Sequence, residues 1–334
     1  MFGLYLVTGA AGFLGRAVLA ELIKDGSKVR ALVFPGDAGA QTLPAETEAV
    51  YGDVCREAEL EGFFTGAGAD TCVIHCAGVV SVASDPGSRL YDVNVRGTKN
   101  VIRMCEKHGV GKLVYVSSVH AIPEKPKGCV ITEKAVISPD AVKGDYAKSK
   151  AAATVMVFEA AQRGLNASVV FPSGIIGPGD PGCGSMTHLL LSFMKGSLPA
   201  AVKGGYDFVD VRDAAAGITA CADLGKRGKG YLLTGQYATL REILDTAKTT
   251  LKLKKNVLFL PLCIAKLAAP FCEKQSLKNG RPLYFTPYSV SVLETENRFS
   301  HEAASAAFGY SPRPVKVSIR DTVLWLKEHR FGKE

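Results

Sequence analysis

The chain predicts an α/β protein built on a doubly wound parallel sheet with helices on both faces. Three observations carry this. Strand-length apolar runs recur between helix-like segments through the first half. Those runs are apolar almost throughout, as strands covered on both faces are. Glycine is abundant, 35 of 334 residues, which suits tight strand-to-helix turns better than a helical bundle.

Leu4 to Thr8 reads as the first strand, and Arg16 to Lys24 as the helix after it, with Val18 and Leu22 on one face. Val29 to Val33 is the second strand and Thr71 to Cys76 a later one. Asn94 to His108 is helical by spacing, Lys112 to Ser117 is a strand, Tyr146 to Arg163 is a long alanine-rich helix, and Ala167 to Phe171 is a further strand. Strict alternation fades after Pro172. Helices such as Leu240 to Leu251 and Ile319 to His329 follow, joined by proline-rich connections. The expected division is a first domain over 1–172, to which 206–230 returns, and a smaller α/β region over 173–205 and 231–334.

The net charge of +8 arises from scattered Lys and Arg. The densest groups, Lys252, Lys254, Lys255 and Lys226, Arg227, Lys229, carry no interleaved aromatics, so they read as solvated surface and not as a nucleic-acid face. Nine cysteines form no Cys-x-x-Cys pair, which points to a reducing compartment. The six histidines show no ligand spacing, and no metal is expected. The N-terminus lacks a basic segment ahead of its apolar run, unlike a signal peptide. Leu258 to Cys272 is apolar but broken by Pro261, Lys266 and Pro270, too short to span a bilayer. It reads as a core or pocket-wall helix, with a membrane-touching segment as the weaker alternative. The expected location is the cytoplasm.

Two patterns carry chemistry. Thr8 to Gly15 reads TGAAGFLG, between the first strand and the first helix. Glycines at 9, 12 and 15 let the backbone approach a pyrophosphate, which the free N–H groups of a helix N-terminus attract. The spacing differs from Gly-x-Gly-x-x-Gly, so its position carries more weight than its pattern. At the end of the second strand, Phe34 is neither the acid that favours NAD nor the Arg that favours NADP. Asp37 and Arg30 nearby favour opposite outcomes, and both cofactors stay open.

Tyr146 and Lys150 stand one helical turn apart on one face. An ammonium beside a phenol favours the phenolate and fits it for proton transfer. About one Tyr-x-x-x-Lys is expected by chance in a chain with 11 tyrosines. Its weight comes from Ser118, at the end of the strand begun by Lys112, where parallel strands meet their ligands. Ser118 could polarise a substrate oxygen, and a Ser-Ser pair could equally cap a turn.

Together with GDV at 52–54, HCAG at 75–78, NVRGT at 94–98, VSS at 116–118, YAKSK at 146–150, FPSGIIGPGD at 171–180 and DFVDVRDAA at 207–215, these residues resemble the extended short-chain dehydrogenase/reductase family. DPGSRLYDVNVRGTKNVI at 85–102 and the tail from Phe308 to Glu328 are most similar to its dihydroflavonol-reductase-like and 3β-hydroxysteroid-dehydrogenase-like branch. The resemblance implies a Rossmann-type domain with a smaller C-terminal substrate domain, and a homodimer. It implies Ser118, Tyr146 and Lys150 as the catalytic group, with Asn94 ordering the site. It places NAD or NADP against Gly9, Gly12, Phe13, Leu14, Gly15, Phe34, Asp53, Val54, Ala77, Gly78, Tyr146, Lys150 and Pro172. Phe34 and Phe171 depart from the arginines many relatives carry there.

The expected activity is hydride transfer between nicotinamide and a carbonyl or secondary alcohol of a small, fairly apolar molecule. Val79 to Ala83, Val119 to Ile122 and the loop after Pro172 are the expected pocket lining. A nucleotide-sugar epimerase is the alternative, with Arg281 as a cation for a diphosphate. A 4,6-dehydratase fits less well, because Val119 and His120 stand where relatives carry an Asp-Glu pair. A non-catalytic dinucleotide sensor is the alternative of another class, weakened by retention of Ser118, Tyr146 and Lys150.

Overall fold

The computed structural model describes residues 1–126, 128–280 and 283–330. Its strands are β1 Leu4–Thr8, β2 Val29–Val33, β3 Thr47–Tyr51, β4 Thr71–His75, β5 Lys112–Val116, β6 Val130–Ile131, β7 Ala167–Pro172, β8 Gly174–Ile176, β9 Ala200–Val202, β10 Gly205–Asp210, β11 Gly230–Leu233, β12 Gln236–Thr239, β13 Leu258–Leu260 and β14 Arg298–Phe299. Its helices are α1 Phe13–Lys24, α2 Ser88–Tyr91, α3 Thr98–His108, α4 Asp145–Arg163, α5 Ser185–Lys195, α6 Val211–Leu224, α7 Leu240–Leu251, α8 Leu262–Lys278, α9 Pro287–Glu294, α10 Glu302–Phe308 and α11 Val315–His329.

Seven strands form one parallel sheet in the order β11-β7-β5-β4-β1-β2-β3. The central strands are apolar because both faces are covered: β4, β5 and β7 are buried at every residue. The edge strand β3 is mostly exposed and reads TEAVY. One face carries a core of Val18, Leu19 and Leu22 from α1 with Ile218 and Cys221 from α6. The other carries Val101 and Met104 from α3 with Ala151, Val157 and Ala160 from α4. The strand order reverses between β1 and β4, which opens a crevice at their carboxyl ends.

The segment 206–230 divides. Strand β10 pairs with β8 and β12 in a separate three-stranded sheet, whereas α6 packs on α1 and β11 extends the main sheet beside β7. The helix expected over Asn94 to His108 begins differently. Asp92–Gly97 is a π-helical turn, and regular α-helix starts only at Thr98. The wider turn accommodates one extra residue, a feature that recurs at functional sites.

The motif DFVDVRDAA is a clamp for the chain's end. Asp210 caps α6 through the Arg212 backbone N–H and receives the Arg212 guanidinium, which also donates to Asp321 on α11. Asp213 receives the Arg313 backbone N–H and its guanidinium at 2.7–3.0 Å. Tyr310 donates to the Thr234 carbonyl at 3.2 Å. A forked Arg–carboxylate pair is geometrically demanding, and its partial exposure moderates what it contributes. Arg313→Ala is expected to lower stability by about 1–2 kcal/mol, read as a shifted urea midpoint with an unchanged slope.

Candidate active site

The glycine loop lies at the crevice. Gly9 has φ +66°, and a Cβ there would come within 2.6 Å of the Ala77 backbone nitrogen. A Cβ at Gly15 would collide with the Gly9 carbonyl oxygen. These two glycines therefore let the turn lie against the β4 exit and under its own helix. Gly12 differs: a Cβ there would meet only the Gly9 carbonyl, at 3.3 Å, and the space beyond is open. Gly12 is also the N-cap of α1 and supplies no side-chain cap, so the N–H groups of the first turn, beginning at Phe13 and Leu14, get no hydrogen bond from a capping side chain. An open approach to an uncapped helix N-terminus fits a dinucleotide pyrophosphate.

Beyond it, the crevice wall is Ala77 and Gly78. Ala77 donates its N–H to the Thr8 hydroxyl at 3.2 Å. A Cβ at Gly78 would lie 3.2 Å from Lys150 Nζ and 3.3 Å from Asn94 Oδ1, so all three residues border one space. Asn94 is buried. Its Oδ1 accepts from the Val79 N–H at 2.7 Å, and its Nδ2 donates to the Val79 carbonyl at 2.9 Å and to Ser149 Oγ at 3.0 Å. Ser149 donates in turn to the Tyr146 carbonyl. Asn94 thus binds the crevice wall to the helix that carries Tyr146 and Lys150.

Lys150 is buried. It donates to the Val116 carbonyl at 2.8 Å and lies 5.0 Å from the Tyr115 ring centroid. Burial pulls its pKa down to about 8, opposed by the nearby Cys76 thiol. Tyr146 does not follow the sequence expectation. Burial pushes its phenol above the ordinary value, and the Ser118 hydroxyl opposes this without prevailing. The lysine ammonium donates instead to the Val116 carbonyl and the Tyr115 hydroxyl. Of the two serines, Ser117 turns inward to Thr154 Oγ1 at 2.7 Å. Ser118 is on the Tyr146 side and also caps the turn Val119–Ala121, accepting from the His120 N–H at 3.2 Å. The cap reading of Ser118 is thus met, and its hydroxyl also interacts with Tyr146.

The expected apolar lining needs correction. Val119, Ala121 and Ile122 point into the core. It is His120 that meets Tyr146, with ring centroids 5.8 Å apart. His120 stacks on Tyr206 and lies between two phenols, Tyr206 at 3.1 Å from Nε2 and Tyr288 at 3.2 Å from Nδ1. Burial pulls the His120 pKa down to about 4, and it is neutral at pH 7. Tyr206 and Tyr288 come from β10 and α9, far along the chain; Tyr206 directly precedes the DFVDVRDAA motif, which gave no sign of a contact with His120. Gly144 admits Tyr288: it has φ +87°, and a Cβ there would fall 2.5 Å from the Tyr288 ring.

Phe171 is buried and would meet a Cβ at Gly230 within 2.7 Å, so it packs the core beneath β11 instead of bordering the pocket. Pro172 ends β7 in register with Leu233. Asp53 Oδ1 accepts from the Cys55 N–H, and Asn100 donates to the buried Val54 carbonyl. Phe34 is exposed at the end of β2, with the Arg89 guanidinium 5.0 Å above its ring. Arg30 is committed elsewhere, donating to the Phe63 and Thr65 carbonyls and pairing with Glu48. Asp37 accepts from the Gly39 N–H. Arg281 lies outside the described residues. Among the described residues no group of three or more His, Cys, Asp or Glu could hold a metal.

Residues 5–233 match the profile of the NAD dependent epimerase/dehydratase family. The chain is 30% identical to sterol demethylase protein B of Methylococcus capsulatus, over 97% of this chain and 98% of that one. It is 31% identical to a putative dihydroflavonol 4-reductase of Synechocystis, over 98% and 96%. It is 29% identical to human 3 beta-hydroxysteroid dehydrogenase type 7, over 97% and 95%. The crystal structure of gox2253 superposes with a TM-score of 0.84 at 27% identity, over 98% of this chain and 99% of that one. The chain belongs to the NAD dependent epimerase/dehydratase family, on the extended short-chain dehydrogenase/reductase branch of the dihydroflavonol-reductase-like and 3β-hydroxysteroid-dehydrogenase-like proteins.

Proposed function

We propose that this protein is an oxidoreductase that interconverts a carbonyl and a secondary alcohol on a small, fairly apolar molecule, with Tyr146 as the acid/base. One set of contacts supports the reading. Ser118 interacts with the Tyr146 phenol, Lys150 one helical turn further on borders Gly78, and an uncapped helix N-terminus in the same crevice fits a dinucleotide. The bound cofactor supplies or accepts the hydride. Tyr146 delivers or removes the proton at the substrate oxygen, and Ser118 donates a hydrogen bond that polarises it. Lys150 holds the nicotinamide ribose and favours the phenolate. Asn94 keeps Val79 and the Tyr146 helix in register.

The surroundings of Tyr146 support an apolar substrate over a nucleotide sugar. His120, Tyr206 and Tyr288 present ring faces and hydroxyls, all uncharged at neutral pH. Such a surface suits flat rings carrying an oxygen and gives no cation to a diphosphate. The names of the relatives, a sterol demethylase protein, a dihydroflavonol reductase and a hydroxysteroid dehydrogenase, agree with this class. Either NAD or NADP serves; Arg89 brings a cation to the adenosine end for a 2′-phosphate.

The deciding assay measures NADH and NADPH binding and then screens turnover with steroid-like and flavonoid-like ketones beside UDP- and GDP-sugars. Net cofactor oxidation with a ketone is expected. Sugar interconversion without net consumption would replace this reading with the epimerase. Tyr146→Phe is expected to lower kcat by about 10²–10⁴-fold while retaining cofactor affinity, measured by titration and steady-state kinetics.

Lys150→Met is expected to weaken cofactor binding and turnover while stabilising the fold. The folded lysine titrates near 8 and the unfolded one near 10.5, so between these values the unfolded chain holds more protons. The penalty for burying the charge is full below pH 8 and fades toward pH 10.5. After the lost bond to Val116 is allowed for, the variant should be more stable than wild type by about 2 kcal/mol below pH 8. That margin should shrink above pH 8 in denaturant titrations at several pH values.

A further inference from the structure

Helix α8 has two unlike faces. Ala265, Ala269 and Glu273 point inward. The opposite stripe is apolar and exposed: Ile264 is 48% accessible, Leu267 84% and Phe271 70%, with Leu277, 60% accessible, at its flank. Cys263 and Pro270 complete it. Single exposed apolar residues are ordinary, but a helical stripe of them marks a binding surface. Its charges have one sign. Lys274 and Lys278 continue the stripe, both exposed. Lys266 sits at its margin, paired with Glu294. Glu273, the one carboxylate of α8, is buried and accepts from the Ser84 N–H and hydroxyl at 2.6 and 2.7 Å.

We propose that the outer face of α8 seats the protein on an anionic lipid surface. Ile264, Leu267 and Phe271 enter the boundary between headgroups and acyl chains, and Lys274 and Lys278 lie against lipid phosphates. The helix lies in the membrane plane: no helix among the described residues is long and apolar enough to cross a bilayer. The charge argues against a second copy of this chain as the occupant, because the same basic face would meet itself. The location ties the surface to the site. Glu273 holds Ser84, and Thr286 at the start of α9 donates to the Val82 carbonyl at 2.6 Å, so α8 and α9 grip the loop that leaves Gly78. Seated this way, the loops around Tyr146 would face a membrane-dissolved substrate. That purpose rests on the apolar-substrate reading; the docking does not.

The test is co-sedimentation of the full chain, without cofactor or substrate, with vesicles of phosphatidylcholine alone or mixed with phosphatidylglycerol. Wild type is expected to pellet with the mixed vesicles and to be released by salt. Leu267→Glu/Phe271→Glu should lower partitioning by at least about ten-fold. Lys274→Gln and Lys278→Gln should each lower it about five-fold at low salt. All four positions are exposed, and an unchanged Tm verifies folding. Wild type that stays in the supernatant overturns the proposal, as does a Leu267→Glu/Phe271→Glu variant that still pellets. A wild-type dimer that fails to pellet and is split by that double variant assigns the face to a second copy and also overturns it. The assay involves no turnover, so its failure leaves the hydride-transfer reading intact, and failure of that reading leaves the vesicle result standing.

Discussion

The site depends on a buried run of hydrogen bonds at the carboxyl ends of β1 and β4. The Ala77 N–H reaches the Thr8 hydroxyl, Thr8 Oγ1 lies 2.6 Å from His75 Nδ1, and His75 Nε2 lies 3.0 Å from Thr98 Oγ1. Thr98 gives its single hydrogen to the Asn94 carbonyl at 2.7 Å. The direction of the chain follows. Thr98 can only accept from His75, so the ring carries its proton on Nε2 and takes one from Thr8 at Nδ1. Burial, with Lys150 adding to it, pulls the His75 pKa down to about 3 and keeps the ring neutral, while these hydrogen bonds select the tautomer. A second ring proton would point at the hydroxyl that now donates. The glycine loop, the Gly78 wall and the turn that carries Asn94 are therefore held in one register by one neutral imidazole.

Neutrality is the rule around this centre, and Lys150 is the exception. His75 and His120 are uncharged at pH 7 because burial makes their protonation unfavourable. Tyr115 and Tyr146 hold their protons for the same reason. Among the described residues the ammonium of Lys150 donates to the Val116 carbonyl and the Tyr115 hydroxyl and faces the Tyr115 ring, with no carboxylate bonded to it. A lone cation in such surroundings acts strongly on whatever approaches, because little water screens it. The same isolation makes it the group most easily discharged as pH rises. In the proposed role of Lys150, function and destabilisation share one atom.

Much of this was legible in the sequence, for local reasons. Leu4–Thr8, Val29–Val33 and Leu240–Leu251 match their predicted bounds because an apolar run or helical spacing ends abruptly at each. Gly12, Tyr146, Lys150 and Ser118 sit at strand and helix ends, where short motifs survive as patterns. The π-turn at Asp92–Gly97 was not legible, since one extra residue leaves the apolar spacing of a helix nearly unchanged. Val119, Ala121 and Ile122 misled because apolarity serves core and pocket equally. Arg89 was hidden inside a segment valued only for its resemblance.

The substrate side was least legible because distant segments build it by contact. Tyr206 and Tyr288 reach His120 from positions 86 and 168 residues away, and the motif beside Tyr206 gives no sign of that contact. Their approach is constrained from the other side. The Tyr288 ring occupies the space a side chain at residue 144 would need, one residue before the helix that carries Tyr146. A larger residue there would displace either the phenol that faces His120 or the start of α4. Helices α4 and α9 are thus fitted closely to each other at Gly144. Changes in α9 that shift Tyr288 therefore bear on the start of α4, which carries Tyr146, and in the proposed reaction this would couple substrate choice to proton transfer through Gly144.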